Sequence, residues 1–245
     1  MTGLVEPGRA ERHDRRALLA LLAGASVVCW AWTARMAAPP EGGHVHVHGA
    51  DLLALFVMWA VMMIGMMIPI ELLVLLQLAR VWRRQLGRSP LPSSAAFLAG
   101  YLLPWIAFSL GAAAFQSRLQ ALGLMNHGMA TSSRALSAAL LLAAGAVQLS
   151  PLKRACLDRC RAPSLADAGG RASVAFAGGL RYSALAMASC GLLMLILFVT
   201  GVMNLAWMVL LTLLLLAEKV APPGWPLPAA IGALLIGWGG WTLVG

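Results

Sequence analysis

Seven apolar blocks, most of about the 17–25 residues a helix needs to cross a bilayer, take up most of this 245-residue chain. They run over 17–33, 52–78, 95–115, 133–149, 174–199, 203–217 and 225–244. The sixth is the shortest, and only Thr200-Gly201-Val202 separate it from the fifth. Apolar residues make up 60% of the chain and charged residues 11%, about half the charged share of a water-soluble domain. The pattern predicts an all-α, polytopic membrane protein with seven transmembrane helices. Residues 1–16 form a basic cytoplasmic tail, and 17–245 form a single transmembrane domain.

Charge placement orients the chain. With the N-terminus inside, fifteen of the eighteen lysines and arginines fall on the inner side, against Arg35, Arg118 and Arg134 outside. This is the positive-inside bias, and an odd number of crossings places Lys219 inside and the C-terminus outside. The net charge of +9 is then explained by loops that face anionic lipid, with no nucleic-acid partner. The expected location is a bacterial cytoplasmic membrane, crossed several times, where the lipid bilayer is the main partner and an oligomer is compatible with the pattern. The first block reads as a retained helix, since its apolar stretch is long for a signal peptide and no small-x-small cleavage site follows it. Cys29, Cys156, Cys160 and Cys190 fall at different depths, which argues against a disulfide framework.

Within the second block, Met58, Met62, Met63, Met66 and Met67 crowd into ten residues. At about 100° per residue, Met58, Met62 and Met66 share one stripe and Met63 and Met67 the next. Thioether sulfur is a soft ligand suited to Cu(I); it is also an ordinary filler of irregular gaps. In the fifth block, Ser183, Met187, Cys190 and Met194 share a face, placing a thiol between two thioethers. Outside, His44, His46 and His48 alternate, so an extended segment would project three imidazoles to one side. Met125-Asn-His127-Gly-Met129 is a second mixed group on that side. Inside, Cys156 and Cys160 lie four apart, which stacks their thiols on one side of a helical turn. Pro69 and Pro104 each free a carbonyl four residues earlier, at Gly65 and Gly100. Glu71, an intramembrane carboxylate, needs a partner or a polar cavity, and Arg80 and Lys219 are the candidates. Gly232, Gly237, Gly239 and Gly240 suit close helix packing in the last block.

Several of these motifs occur together in one known family. A Met-rich second span ending Met66-Met67-Ile-Pro69 is followed by Pro151-Leu-Lys-Arg-Ala-Cys156-Leu-Asp-Arg-Cys160-Arg-Ala-Pro163. Then come Cys190-Gly191-Leu-Leu-Met194, Gly201-Val-Met203-Asn204-Leu-Ala-Trp207-Met208 and Glu218-Lys219. The order resembles the DUF2182 family, described as predicted metal-binding integral membrane proteins, over about Asp51 to Lys219. Where family members often carry a second Cys after the Cys-Gly pair, this chain has Leu192. The resemblance implies metal binding, and neither a reaction nor a ligand set.

The expected function is non-enzymatic handling of a soft transition metal. Cu(I) leads, with other soft or borderline metals as alternatives, handled by binding, transport or delivery to a donor or acceptor protein. The route would run from His44, His46 and His48 through Met58, Met62, Met63, Met66, Met67, Met187, Cys190 and Met194 to Cys156 and Cys160. No ATPase loop is visible, so any transport would be passive, ion-coupled or partner-driven. One alternative is a structural or assembly subunit of a membrane complex. Another is a thiol-redox protein working through Cys156 and Cys160. Replacing Met58, Met62 and Met66 together by Leu is expected to lower Cu(I) affinity; unchanged binding by the triple variant would remove that stripe from the route.

Overall fold

The computed structural model describes residues 9–37, 51–87, 89–126, 128–161, 171–222 and 224–244. The described residues are helical, without strands apart from an isolated Met125–Thr131 bridge. Nine helices follow one another among them: α1 (Arg9–Ala37), α2 (Leu52–Leu86), α3 (Leu91–Ala121), α4 (Arg134–Leu149), α5 (Pro151–Arg161), α6 (Ala172–Met194), α7 (Leu197–Thr200), α8 (Leu205–Val220) and α9 (Leu227–Val244).

Five of these segments are long and apolar enough to cross a membrane: 12–37, 52–86, 91–121, 172–200 and 227–244. A sixth is available if α4 and α5, bent by 64° at Ser150, act as one span. The expected count of seven is therefore not confirmed. The fourth and sixth blocks fall short as single helices, because α4 and α8 have 16 residues each and are about 24 Å long at 1.5 Å per residue, against about 30 Å of hydrocarbon.

Local sequence explains where the helices begin and end. Asp51 caps α2 by accepting from the Leu53 amide at 3.1 Å, and Gly87, at φ 62°, ends it in the left-handed conformation that glycine adopts without strain. Ser133 caps α4 and Asn204 caps α8 through the Leu136 and Trp207 amides. Between α7 and α8 the chain turns at Gly201, at φ 101°. There the loop after α3 docks on it, with the Thr131 amide donating to the Phe198 carbonyl at 2.7 Å and the Val202 amide to the Met129 carbonyl at 3.3 Å.

The proline in α2 is compensated by α1. Pro69 has no N–H for the Gly65 carbonyl, which accepts instead from Trp30 Nε1 at 3.1 Å and Ser26 Oγ at 3.3 Å. A freed carbonyl in an apolar setting costs most when nothing replaces its donor, and here two side chains do.

Small residues set the two closest helix crossings. A Cβ on Gly179 of α6 would lie 2.1 Å from the Phe97 carbonyl oxygen of α3, and one on Gly100 would lie 2.1 Å from the Phe176 carbonyl oxygen of α6. Gly145 of α4 and Gly232 of α9 face each other's carbonyls in the same reciprocal way, at 2.9 and 3.0 Å. Gly239 also packs on α4, against Leu141 and Leu142, whereas Gly237 and Gly240 meet nothing within 4 Å. The packing stripe expected on the last helix is thus Gly232 and Gly239. Gly179→Ala should destabilise the fold by about 1–3 kcal/mol, the usual cost of overpacking a tight contact, and Gly237→Ala should leave it unchanged. Reversible unfolding in mixed micelles measures both; equal stability of the two variants would contradict this packing.

Candidate metal centre

Four charged side chains on three helices meet in the interior. Lys153 Nζ of α5 bonds Glu218 Oε2 of α8 at 2.6 Å, and Lys219 Nζ bonds Glu71 Oε2 of α2. Lys153 and Glu218 are 0% and 1% exposed at the side chain, and Glu71 and Lys219 are nearly as buried. Lys153 also donates to the Ser189 carbonyl of α6 at 2.7 Å, and Gln148 Nε2 of α4 donates to Glu218 Oε1 at 2.7 Å. Lys219 lies 5.1 Å from the centroid of the Tyr182 ring, within cation–π range.

Lys153 and Lys219 are the only lysines in the chain. The sequence reading put both among the inner-side positive residues that orient the chain. They are instead consumed in buried pairs, because an ammonium and a carboxylate removed from water need each other. Without them, the segments expected on the inner side hold thirteen arginines. Of the two partners considered for Glu71, Lys219 is the one it meets.

Beside the charges is a cavity of about 30 Å³ lined by Met67, Glu71, Tyr101, Cys160, Ser189, Cys190, Glu218 and Lys219, with Ile70, Leu157, Ala186 and Leu215 as its apolar walls. A space of this size holds one or two water-sized occupants, a water needing roughly 10–15 Å³ of such volume. Each sulfur donor arrives for a local reason. Met67 is brought by α2, where the Tyr101 hydroxyl donates to its Sδ at 3.7 Å. Cys160 lies on the buried face of α5 with Lys153, Cys156 and Leu157, a set spaced i, i+3, i+4 and i+7. Its carbonyl accepts from the Tyr182 hydroxyl at 3.0 Å, which fixes α5 against α6. Cys190 faces the cavity from α6, its thiol donating to the Ala186 carbonyl at 3.0 Å. No disulfide joins the four cysteines.

The structure divides the sulfur residues singled out in the sequence. Met67, Cys160 and Cys190 share the cavity. Met58, Met62, Met63 and Met66 are buried in the main apolar core, as is Met194, while Met187 is partly buried at its edge. Cys156 is buried on α5 and does not line the cavity. His44, His46, His48 and His127 lie outside the described residues. Among the described residues no three His, Cys, Asp or Glu side chains form a metal-holding group, so a cation here would need the Met67 thioether beside the two thiols. That donor set is soft and suits a monovalent soft ion better than a hard divalent one.

Sequence reasoning missed Lys153, Gln148, Ser189 and Tyr101 as site residues. The signal for Lys153 was available, since only two lysines occur among eighteen basic residues and the other adjoins Glu218. At the opposite end of the bundle, Trp59 Nε1 donates to Gln116 Oε1 at 2.7 Å and Gln116 Nε2 to Met129 Sδ at 3.7 Å. Trp59 also stacks on Phe198, with centroids 5.1 Å apart.

Lys153→Met leaves the Glu218 carboxylate buried and unpaired, and should cost about 3–5 kcal/mol of stability. The double variant Lys153→Met/Glu218→Gln should recover much of that loss. Unfolding measurements on the two variants check this, and equal stability of single and double variants would contradict the pairing.

A family model described as PpoB2, copper chaperone, matches residues 56–242, which takes in α3 to α8, nearly all of α2 and α9, and every residue lining the cavity. The matching family carries this name rather than DUF2182, and agrees with the sequence resemblance in being metal-associated. Neither the curated proteins nor the solved structures give a match. With the match extending over more than half its length, the chain belongs to the PpoB2 family of copper chaperones.

Proposed function

We propose that the protein binds Cu(I) inside the membrane at the cavity between α2, α5, α6 and α8, and passes it to a partner protein. One observation carries this reading: Met67, Cys160 and Cys190, drawn from three helices far apart in sequence, line one small cavity beside a carboxylate. A chaperone must release its cargo. Two cysteines, losing their protons as the ion binds, and a thioether give a site that a sulfur-rich acceptor can compete for. The family match supports copper as the cargo.

In this reading the protein binds and delivers and does not catalyse. The N-terminus lies on the cytoplasmic side of a bacterial membrane, on the strength of the thirteen inner arginines. Seven crossings require α8 to span as a short helix with local thinning of the bilayer. His44, His46 and His48 serve as an outer capture point, and the four core methionines of α2 serve packing rather than coordination.

The thiol-redox alternative is disfavoured by geometry. Cys156 and Cys160 lie on consecutive turns of α5, where Cβ atoms are about 5–6 Å apart, beyond the roughly 3.5–4.5 Å of a disulfide. The decisive comparison is Cu(I) affinity by competition with a chromophoric chelator. Cys160→Ser/Cys190→Ser should lose at least about 100-fold, and Met67→Leu should lose less. The quadruple Met→Leu variant at 58, 62, 63 and 66 should keep its affinity. Full binding by the double Ser variant would refute the cavity site.

A further inference from the structure

The cavity leaves unused the sulfur at the far end of the bundle. Met125 and Met129 lie there in the loop between α3 and α4, and Met203 lies in the turn between α7 and α8. All three are partly buried against the main apolar core. Backbone hydrogen bonds join the two segments: the Val202 amide donates to the Met129 carbonyl at 3.3 Å, and the Thr131 amide to the Phe198 carbonyl at 2.7 Å. Met203 is therefore the chain neighbour of the residue on which Met129 is docked. Met125 bridges to Thr131 across the same loop. Three thioethers from segments far apart in sequence are thus gathered at one end of the protein.

Met129 carries two further marks. Its φ is 54°, and every other position of positive φ among the described residues is a glycine. A methionine there strains the backbone where glycine would not, so this side chain is kept at a cost to stability. The side chain is also tied from below. Gln116, fully buried, donates from Nε2 to Met129 Sδ at 3.7 Å and accepts at Oε1 from Trp59 Nε1 at 2.7 Å. A thioether is a weak acceptor for an amide, and the bond holds the sulfur toward the bundle while leaving it a second lone pair.

We infer that Met129, with Met203 and Met125, forms a second site for a soft monovalent cation. Thioether sulfur is a soft donor that carries no proton to lose, so this site loads without releasing protons. Neutral donors at a partly exposed position hold an ion weakly, and weak sites let it enter and leave, as an entry point must. The site is separate from the cavity: Trp59, beneath Met129, and Met67 are eight residues apart on α2, about 12 Å at 1.5 Å per residue. It contains no cysteine, and it stands on its own residues whether or not the cavity binds copper.

Full-length protein in micelles, carrying 13Cε-methionine, reports this through the methyl signals of its thirteen methionines. Single Met→Leu variants assign those of Met125, Met129 and Met203. The probe is Ag(I), a soft monovalent ion stable in air, titrated into wild type and into Cys160→Ser/Cys190→Ser. The Met129 and Met203 signals should shift in both proteins, because the site needs neither cysteine. Met129→Gly suits the φ at this position and should weaken uptake reported by Met203 about tenfold or more. A Met129 signal unmoved by excess Ag(I) would overturn the site. So would a folded Met129→Gly variant whose Met203 signal titrates as in wild type, or a Met129 shift that disappears with the two cysteines. If Met129→Gly does not fold, the spectra of the other two proteins decide alone.

Discussion

The pairing of Lys153 with Glu218 inside a nearly uncharged bundle is the constraint on which the remaining structure depends. A lone ammonium or carboxylate at this depth would be prohibitively costly. The pair is tolerable because Gln148 donates to the carboxylate and the Ser189 carbonyl accepts from the ammonium, while Arg161 ties α5 to the Glu218 backbone carbonyl. Those partners come from α4, α5, α6 and α8, so satisfying one buried carboxylate fixes four helices relative to one another. The bend between α4 and α5 follows from this. Ser150 ends α4 with extended backbone at ψ 147°, and α5 turns away by 64°, which carries Lys153 inward and brings Cys160 to the cavity.

Sulfur placement follows from the same tie. Once α5 is fixed on α6 by Lys153 and by the Tyr182 hydroxyl on the Cys160 carbonyl, Cys160 and Cys190 face one space. Met67 is oriented into it by Tyr101. The other methionines of α2 are buried in the main apolar core, where a flexible side chain suits irregular packing. On this one helix, Met67 thus lines the cavity while Met58, Met62, Met63 and Met66 pack in the core.

Most of the architecture could be read from hydrophobic block length, and several local features from chemistry. The freed carbonyl at Gly65 was legible from Pro69, although its donors Ser26 and Trp30 were not, because they lie on another helix. Gly232 and Gly239 were legible as a packing surface. The reciprocal fit of Gly100 with Phe176 and Gly179 with Phe97 was not, since no periodic signal distinguishes it. At the site, Cys160 and Cys190 were both visible as soft donors. Their convergence was not, because it depends on the α4–α5 bend and on a lysine that looks, in sequence, like one more loop charge. Charge counting treated Lys153 and Lys219 as topological markers. The scarcity of lysine beside sixteen arginines was the clue that these two do something else.

The central claim is that copper is held by sulfur in the interior rather than by imidazole at the surface. X-ray absorption at the copper edge of the Cu(I)-loaded protein tests it most directly. A first shell of sulfur, lost when Cys160 and Cys190 are replaced by Ser and kept when His44, His46 and His48 are replaced by Ala, is the result this account predicts. A shell of imidazole nitrogen in the wild-type protein, unchanged by loss of the two cysteines, would contradict it.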